Sequence, residues 1–558
     1  HRRRHSFPTR RSSDLEKYLY CLKDKPLIHL KLDSYLYLKE NDDAVNDFIK
    51  IHFDSITGLE LDNDEARKYL DRNIKSEDLK VDEIDSHEQV ELRQILPSFP
   101  VPDIAKLINL KNLNIQYIDF TVENSNFFKN LSKLKTLEIS LSKLSPKNQF
   151  LDEIESLENL EILKLTFYEI SNLLKIPLKL KTLELVSCDL PIKNLVIENQ
   201  LESLSIFKCA NLEIVNAPNA INVFCERNMS LKTLLFKSAK NVKVNSHKVL
   251  ETLEVPNAKE IVCQFNRDLI NFKANSVEKL NIKYCHKIEM LELPNAKEID
   301  CDNNLALKYI IAKLAEELSV YKSENLNIID VPNIRDISCG KISIKKFESE
   351  SAKKVNFVNC DFLEVVNIPN AKNVQCLDNK DLKIINAESA EKVIVEVCQN
   401  IKTIYVPNAN SIYCKNLSSL ENLIANSVKY LRLELCGSIK TIEVPKALNI
   451  VCKENQLLES VRADSAEILV FDRCYNLGYF YASNAKQLTI SWNNAFKKLK
   501  TDSIEVVSLS NLKKLETIEI SNAKEIKLDK IPLVKTLEVD CTEKLNCSSC
   551  KNLQDRKS

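Results

Sequence analysis

Thiols dominate the chemistry this chain could perform. Of its 18 cysteines, thirteen recur at fixed intervals. One series is Cys225, Cys263, Cys301, Cys339, Cys376, Cys414 and Cys452; the other is Cys209, Cys285, Cys360, Cys398, Cys436 and Cys474. Such series could ligate a ladder of metal ions or form a line of disulfides. Members of one series mostly lie 38 residues apart, two layers of a 19-residue stack. That is about 9–10 Å between strands, beyond disulfide reach. A metal site wants four clustered ligands, and no histidine recurs with either series. The pattern reads as small buried apolar side chains with free thiols. Free core thiols favour a reducing compartment, so a cytoplasmic location is expected. Cys547-Ser548-Ser549-Cys550, with Cys541 nearby, could be half of a zinc site, but such a pair is more often incidental.

Other chemistry is sparse. Asp300 and Asp302 share a strand face and are the nearest approach to the paired carboxylates of a polysaccharide-cleaving enzyme. The equivalent positions of neighbouring repeats hold Asn281 and Lys283, then Ser319 and Tyr321, so an exposed acidic pair is expected. Neither H-E-x-x-H nor G-x-S-x-G occurs, and four scattered glycines cannot cradle a phosphate. No cofactor or metal is called for. Asn-x-Ser sequons stand at Asn130, Asn228, Asn416 and Asn546; Asn228 falls at an inward position, where a glycan could not fit.

The elements that position these residues repeat strictly. Val255-Pro256-Asn257-Ala258-Lys259-Glu260-Ile261-Val262-Cys263 returns 38 residues later as Leu293-Pro294-Asn295-Ala296-Lys297-Glu298-Ile299-Asp300-Cys301. The same beat runs through Pro218, Pro332, Pro369, Pro407 and Pro445, then Ser483 and Ser521, with a single step of 37. Beneath it lies a beat of 19, with one 18-residue step near Gly340. In one coil Ala258, Ile261, Cys263, Asn266, Leu269, Phe272, Ala274 and Val277 are separated by twos and threes. Twos mark alternating strand side chains; threes carry the chain round bends. Each coil is therefore expected to hold two short strands, Ile261–Cys263 on one face and Phe272–Ala274 on the other. An inward Asn or Cys follows the first, as at Asn266, Cys285, Asn304, Asn379 and Cys398. Pro-Asn-Ala is expected to bend the chain after the outer strand of every second coil, with Asn where glycine usually sits.

Leu107-Ile108-Asn109-Leu110-Lys111-Asn112-Leu113-Asn114-Ile115 and Leu131-Ser132-Lys133-Leu134-Lys135-Thr136-Leu137-Glu138-Ile139 resemble the L-x-x-L-x-x-L-x-L core of leucine-rich repeats. Leu157–Leu165, Leu178–Leu185 and Leu201–Ile206 continue the match, and the inward Asn column resembles that family's asparagine ladder. The L-x-x-I-x-V-P-N-A-x-x-I element also looks like the BspA-like class, without its G-x-x-A-F turn. The resemblance implies a solenoid of parallel strands and a protein-binding surface. Leu-x-Leu pairs begin at 113, 137, 163, 183 and 204, and the wider spacings leave room for a short helix such as Gln149–Ser156.

The organisation expected is then as follows. Residues 1–15 and 555–558 read as translated sequencing adapter rather than native protein. Residues 16–105 are irregular repeats, with strands at Leu30–Leu32, Leu59–Leu61 and Leu79–Val81 and helices at Ala44–Phe53 and Asp64–Leu70. Residues 106–215 are α/β leucine-rich repeats of about 20–26 residues, 216–540 are strict 19-residue coils, and 541–554 are a truncated C-terminal segment. A parallel β-helix is the alternative fold. Basic and acidic residues number 79 each. Setting aside the two adapter-like ends leaves 72 basic against 77 acidic, a net of −5, which disfavours nucleic acid. No segment here reads as a membrane span.

What remains is surface. Of two outward columns of the first strand, one turns apolar and aromatic around Tyr413 and Arg432 over five coils: Ile394, Tyr413, Arg432, Val451 and Val470, beside Glu396, Lys415, Glu434, Lys453 and Asp472. Tyr and Arg are enriched at binding hot spots. The expectation is a non-enzymatic scaffold that binds protein partners through this face. Surface adhesion is the second reading, and a β-helix carbohydrate enzyme the third.

Overall fold

The computed structural model describes residues 30–33, 58–62, 110–116, 128, 131–140, 153–166, 176–188, 190, 192–550 and 555–557. The expected helices at Ala44–Phe53 and Asp64–Leu70, the strand at Leu79–Val81 and residues 1–15 lie outside them. The chain forms two units, His1–Val277 and Glu278–Ser558. Each is a parallel β-solenoid of leucine-rich-repeat type.

In the first unit the front strands run from Leu30–Asp33 and Gly58–Asp62 through Asn112–Gln116 and Thr136–Ser140 to Glu260–Gln264. Each pairs in parallel with the next, Leu113 with Leu137 and Leu204 with Val223 among them. Back strands begin at Asn194–Val196 and end at Asn271–Lys273. Among the described residues helix is found at Glu153 and in the 3-10 turn Ile154–Ser156 that follows it, inside the expected Gln149–Ser156 helix. In the second unit front strands run from Lys279–Lys283 to Gln487–Ser491, and back strands form sheets of three, five and three. The expected back strand Phe272–Ala274 is corrected to Asn271–Lys273: Phe272 is its inward centre, and Ala274 packs inward from the bend beyond it.

The inward columns fill the interior. Ile261, Cys263, Leu269 and Val277 are at most 1% exposed, and Asn266 is fully buried with them. Burying an amide is tolerable only if it is hydrogen-bonded, and the ladder does this from coil to coil. Asn266 Oδ1 accepts from the His247 N–H at 3.0 Å, while its Nδ2 donates to Val244 O at 2.8 Å and to Cys263 Sγ at 3.2 Å. Asn379 repeats this with the Cys360 N–H and Phe357 O, Asn455 with the Cys436 N–H and Leu433 O. Cysteine fills the intervening rungs in weaker form. Cys398 Sγ donates to Cys376 O at 3.7 Å and Glu396 O at 3.4 Å, and it accepts the Asn379 N–H.

Two bends close each coil. Directly after the front strand one residue takes a left-handed backbone in coil after coil, from Ser187 at φ 52° to Ser549 at φ 57°, and none is glycine. Stacking fixes the conformation: the Val397 N–H donates to Lys415 O, and the Asn359 N–H to Leu377 O, both at 2.9 Å. The Pro-Asn-Ala bend differs from expectation. Asn257 has no positive φ; the turn closes from the Ala258 N–H to Val255 O at 3.0 Å. The asparagine earns its place by donating Nδ2 to Lys237 O of the previous coil at 2.9 Å. In the following coil the Ser276 N–H donates to Pro256 O at 3.0 Å. Proline accepts here but cannot donate, so complementary bends alternate, and 38 rather than 19 is the repeat.

Glycine is required at one close approach. The Tyr321 ring lies over Gly340, where a Cβ would stand 2.6 Å from Tyr321 Cδ1. This coil is one residue short, and its register nevertheless carries Ile337 onto Val355.

Candidate functional site

The ten outward residues singled out from sequence do share one surface of the second unit. Five consecutive strands carry them: Lys392–Glu396, Ser411–Lys415, Tyr430–Glu434, Asn449–Lys453 and Ile468–Asp472. Register places Ile394, Tyr413, Arg432, Val451 and Val470 side by side, and Glu396, Lys415, Glu434, Lys453 and Asp472 beside them. Arg432 is exposed and the others are half-buried. Charge alternates along the second column, so each ammonium has a carboxylate on the neighbouring strand.

Side-chain coupling sharpens the centre of this face. The Arg432 guanidinium lies 5.4 Å from the Tyr413 ring centroid. Arg432 Nε donates to Glu434 Oε1 at 2.7 Å, and the Tyr413 hydroxyl donates to Glu434 Oε2 at 3.5 Å. Burial, then the Glu434 carboxylate, raise the Tyr413 phenol above its ordinary range. The three form one pre-ordered cluster flanked by Ile394, Val451 and Val470. Strand spacing is about 4.8 Å, so the face is a flat, regular grid suited to an extended or flat protein surface.

The carboxylate pair has a structural role. Lys283 Nζ sits 2.6 Å from Asp300 Oδ2, and Asn281 Nδ2 donates to the same oxygen at 3.0 Å. Asp302 Oδ1 accepts from Asn303 Nδ2 at 3.2 Å. The C-x-x-C falls on the two inward columns. Cys547 continues the strand column, in register with Leu528, and Cys550 the ladder column that precedes it at Ile531. The two series coincide in one coil, three residues apart as Cys263 and Asn266 are. Among the described residues no group of three or more His, Cys, Asp or Glu could hold a metal ion. Burial drives the Cys398 thiol up to about 11 and the Cys436 thiol up to about 12, which favours the protonated form of both.

Sequence reading missed two features of the first unit. At the entrance to its front strands lies an open recess of about 800 Å³ lined by Lys111, Lys133, Lys135, Lys179 and Lys181. Further along the first unit, Lys243 lies 5.0 Å from the Phe224 ring centroid, and Lys208 and Arg227 lie 5.3 and 5.9 Å from that of Phe207. Unequal spacing of the early coils hid the lysine cluster; only the paired Lys-Leu-Lys triplets hinted at it.

No protein-family model and no curated protein matches the chain. Among solved structures it is similar to Toll in the Drosophila Toll–Spatzle complex, at 10% identity over 91% of this chain and 86% of that one, TM-score 0.24. A leucine-rich-repeat protein of Leptospira interrogans is 14% identical over 66% of this chain and 88% of that one, TM-score 0.20. A plant peptide hormone receptor, solved in complex with RGF2, is 12% identical over 75% and 80%, TM-score 0.18. What makes this fold a leucine-rich-repeat solenoid is the chain's own parallel register and asparagine ladder. Among the described residues no helix is long and apolar enough to cross a membrane.

Proposed function

We propose that the chain is a non-enzymatic scaffold that holds a protein partner on the front face of its second unit. One observation carries this reading. Over five strands in register, outward side chains that the core does not need are apolar or aromatic around Arg432 in one column and alternately charged in the next. An apolar strip rimmed by ordered charge suits association, and the stacked Tyr413–Arg432–Glu434 cluster lowers the ordering cost of binding. The test is capture of partners by the full chain, followed by titration of the recovered partner against variants. Arg432→Glu and Tyr413→Ala should each weaken binding by at least about tenfold, the range of an interface hot spot. Unchanged affinity in both removes this face from the function.

A further inference from the structure

We propose that the lysine-lined recess of the first unit is a docking site for an extended acidic peptide segment, a surface separate from the proposed front face. Its wall is built by triplets with a buried central leucine. Lys133-Leu134-Lys135 and Lys179-Leu180-Lys181 bury Leu134 and Leu180 at 0% and 2% exposure, which turns both flanking lysines outward. Between them, Asn159-Leu160-Glu161 buries Leu160 in the same way. Coils that start at irregular intervals bring Lys111 to the same wall.

Charge balance favours cations in this recess. Along the equivalent edge of the second unit, Arg335 meets Glu316 at 3.2 Å and Lys486 meets Glu467 at 3.0 Å, and a smaller recess there holds three cations, Lys297, Arg335 and Lys353, with Glu316. Here five lysines line the recess with two glutamates, Glu161 and Glu202. Glu161 is already shared, 2.9 Å from Lys135 and 3.0 Å from Lys181. Hydrogen bonds to those two ammonium groups hold its carboxyl down at about 2. Lys179 is steered by a 2.9 Å bond from its Nζ to Asn159 Oδ1. The lining holds more ammonium groups than carboxylates; Lys111 and Lys135 lead into adjacent strands, about 4.8 Å apart, while Lys135 and Lys181 flank Glu161 two strands apart, about 9.6 Å.

The occupant follows from that chemistry. An extended chain places alternate side chains about 6.6–6.8 Å apart on one side, so two or three carboxylates can reach lysines of different coils. Leu178, 94% exposed at the rim, offers apolar contact to the aliphatic stems. A nucleic acid backbone needs an uninterrupted basic stripe, which Glu161 and Glu202 interrupt.

The probe is a fluorescein-labelled octaglutamate peptide, its anisotropy followed on titration with the full chain at low salt. Binding is expected to weaken steeply with added salt. Lys133→Glu combined with Lys179→Glu should lower affinity by about tenfold or more. Lys345→Glu combined with Lys402→Glu, exposed lysines of the second unit, should change it less than about twofold. All four positions are at the surface, so a thermal melt matching the parent verifies folding of both variants. Arg432→Glu should leave peptide binding intact, separating this site from the proposed front face. No binding by the parent chain, equal loss in the two double variants, or tighter binding of an oligo-dT strand of equal charge overturns the proposal.

Discussion

Two stretches of the second unit turn the same corner differently. From Pro294 to Pro445 every second coil bends at proline, and front strands of five or seven residues are separate from back strands of three. From 498 onward serine stands at 521, and Lys498–Ser510, Thr517–Asp529 and Thr536–Ser548 are unbroken strands of 13 residues. There the register passes through the corner, from Thr501↔Ile520 to Ser503↔Asn522 and Ile504↔Ala523. Proline removes a donor and fixes φ, which suits a cut between two faces; serine stands at either kind of corner, since Tyr479–Tyr481 and Gln487–Ser491 stay separate around Ser483 while the ladder runs on through Ser521. The rungs change as well, from Asn379, Cys398 and Asn455 to Leu512 and Ile531, all buried. A coil can close with a polar rung that bridges three strands or with an apolar rung that only packs.

That contrast can be broken most forcefully at a polar rung. Asn379→Leu makes the rung apolar but strands the Cys360 N–H and Phe357 O, now bonded at 2.8 and 2.9 Å. The expected cost is about 3 kcal/mol, read from the urea midpoint together with amide exchange at Cys360. A loss under about 1 kcal/mol would put polar and apolar rungs on one footing.

A titratable rung gives a middle-sized effect. His247 is fully buried in the ladder of the first unit, with Nε2 donating to Cys225 O at 3.1 Å and Nδ1 accepting the Asn228 N–H at 3.2 Å. Burial lowers its pKa below 6.5 despite the raising effect of the Asn228 and Cys225 backbone contacts. The neutral ring is therefore bound preferentially by the folded state. Its contribution is complete above about pH 6.5 and is lost as pH falls through that value toward the lower folded pKa. The slope should approach about 1.4 kcal/mol per pH unit. His247→Asn should flatten it, and a melt series from neutral to mildly acidic pH decides.

The smallest effect lies at the corner itself. Ser521→Pro should cost about 1 kcal/mol or less, because proline holds the equivalent place in earlier coils. It should nonetheless raise amide exchange at Asn522 and Ala523, splitting one long strand into two faces. Retention of full protection there would mean that proline does not set the strand boundary.

Much of this was legible in the sequence because inward positions repeat. The 19-residue beat located Ile261, Cys263 and Asn266, and the same register aligned the ten residues from Ile394 to Asp472. The left-handed corner was not legible: Phe265, Val397, Leu435 and Trp492 occupy it with φ between 54° and 58°. Neighbouring coils over-determine that conformation, so no glycine marks it. The coupling of Arg432 to Tyr413 and Glu434 was equally hidden, since a column says which residues are adjacent but not which rotamers meet. The lysine recess escaped because it forms before the period locks.

The edge charges carry one more consequence. Glu278 faces Lys297, Glu316 faces Arg335, and Lys372 faces Glu391 from coil to coil. Each such exposed pair is worth little by itself, and the alternation already lapses where Arg335, Lys353 and Lys372 follow one another, but deleting a single coil would juxtapose two bends of one kind. Deleting two restores the alternation of bends. Gene duplication and loss in this lineage should therefore proceed in 38-residue steps, and natural length variants should differ by even numbers of coils.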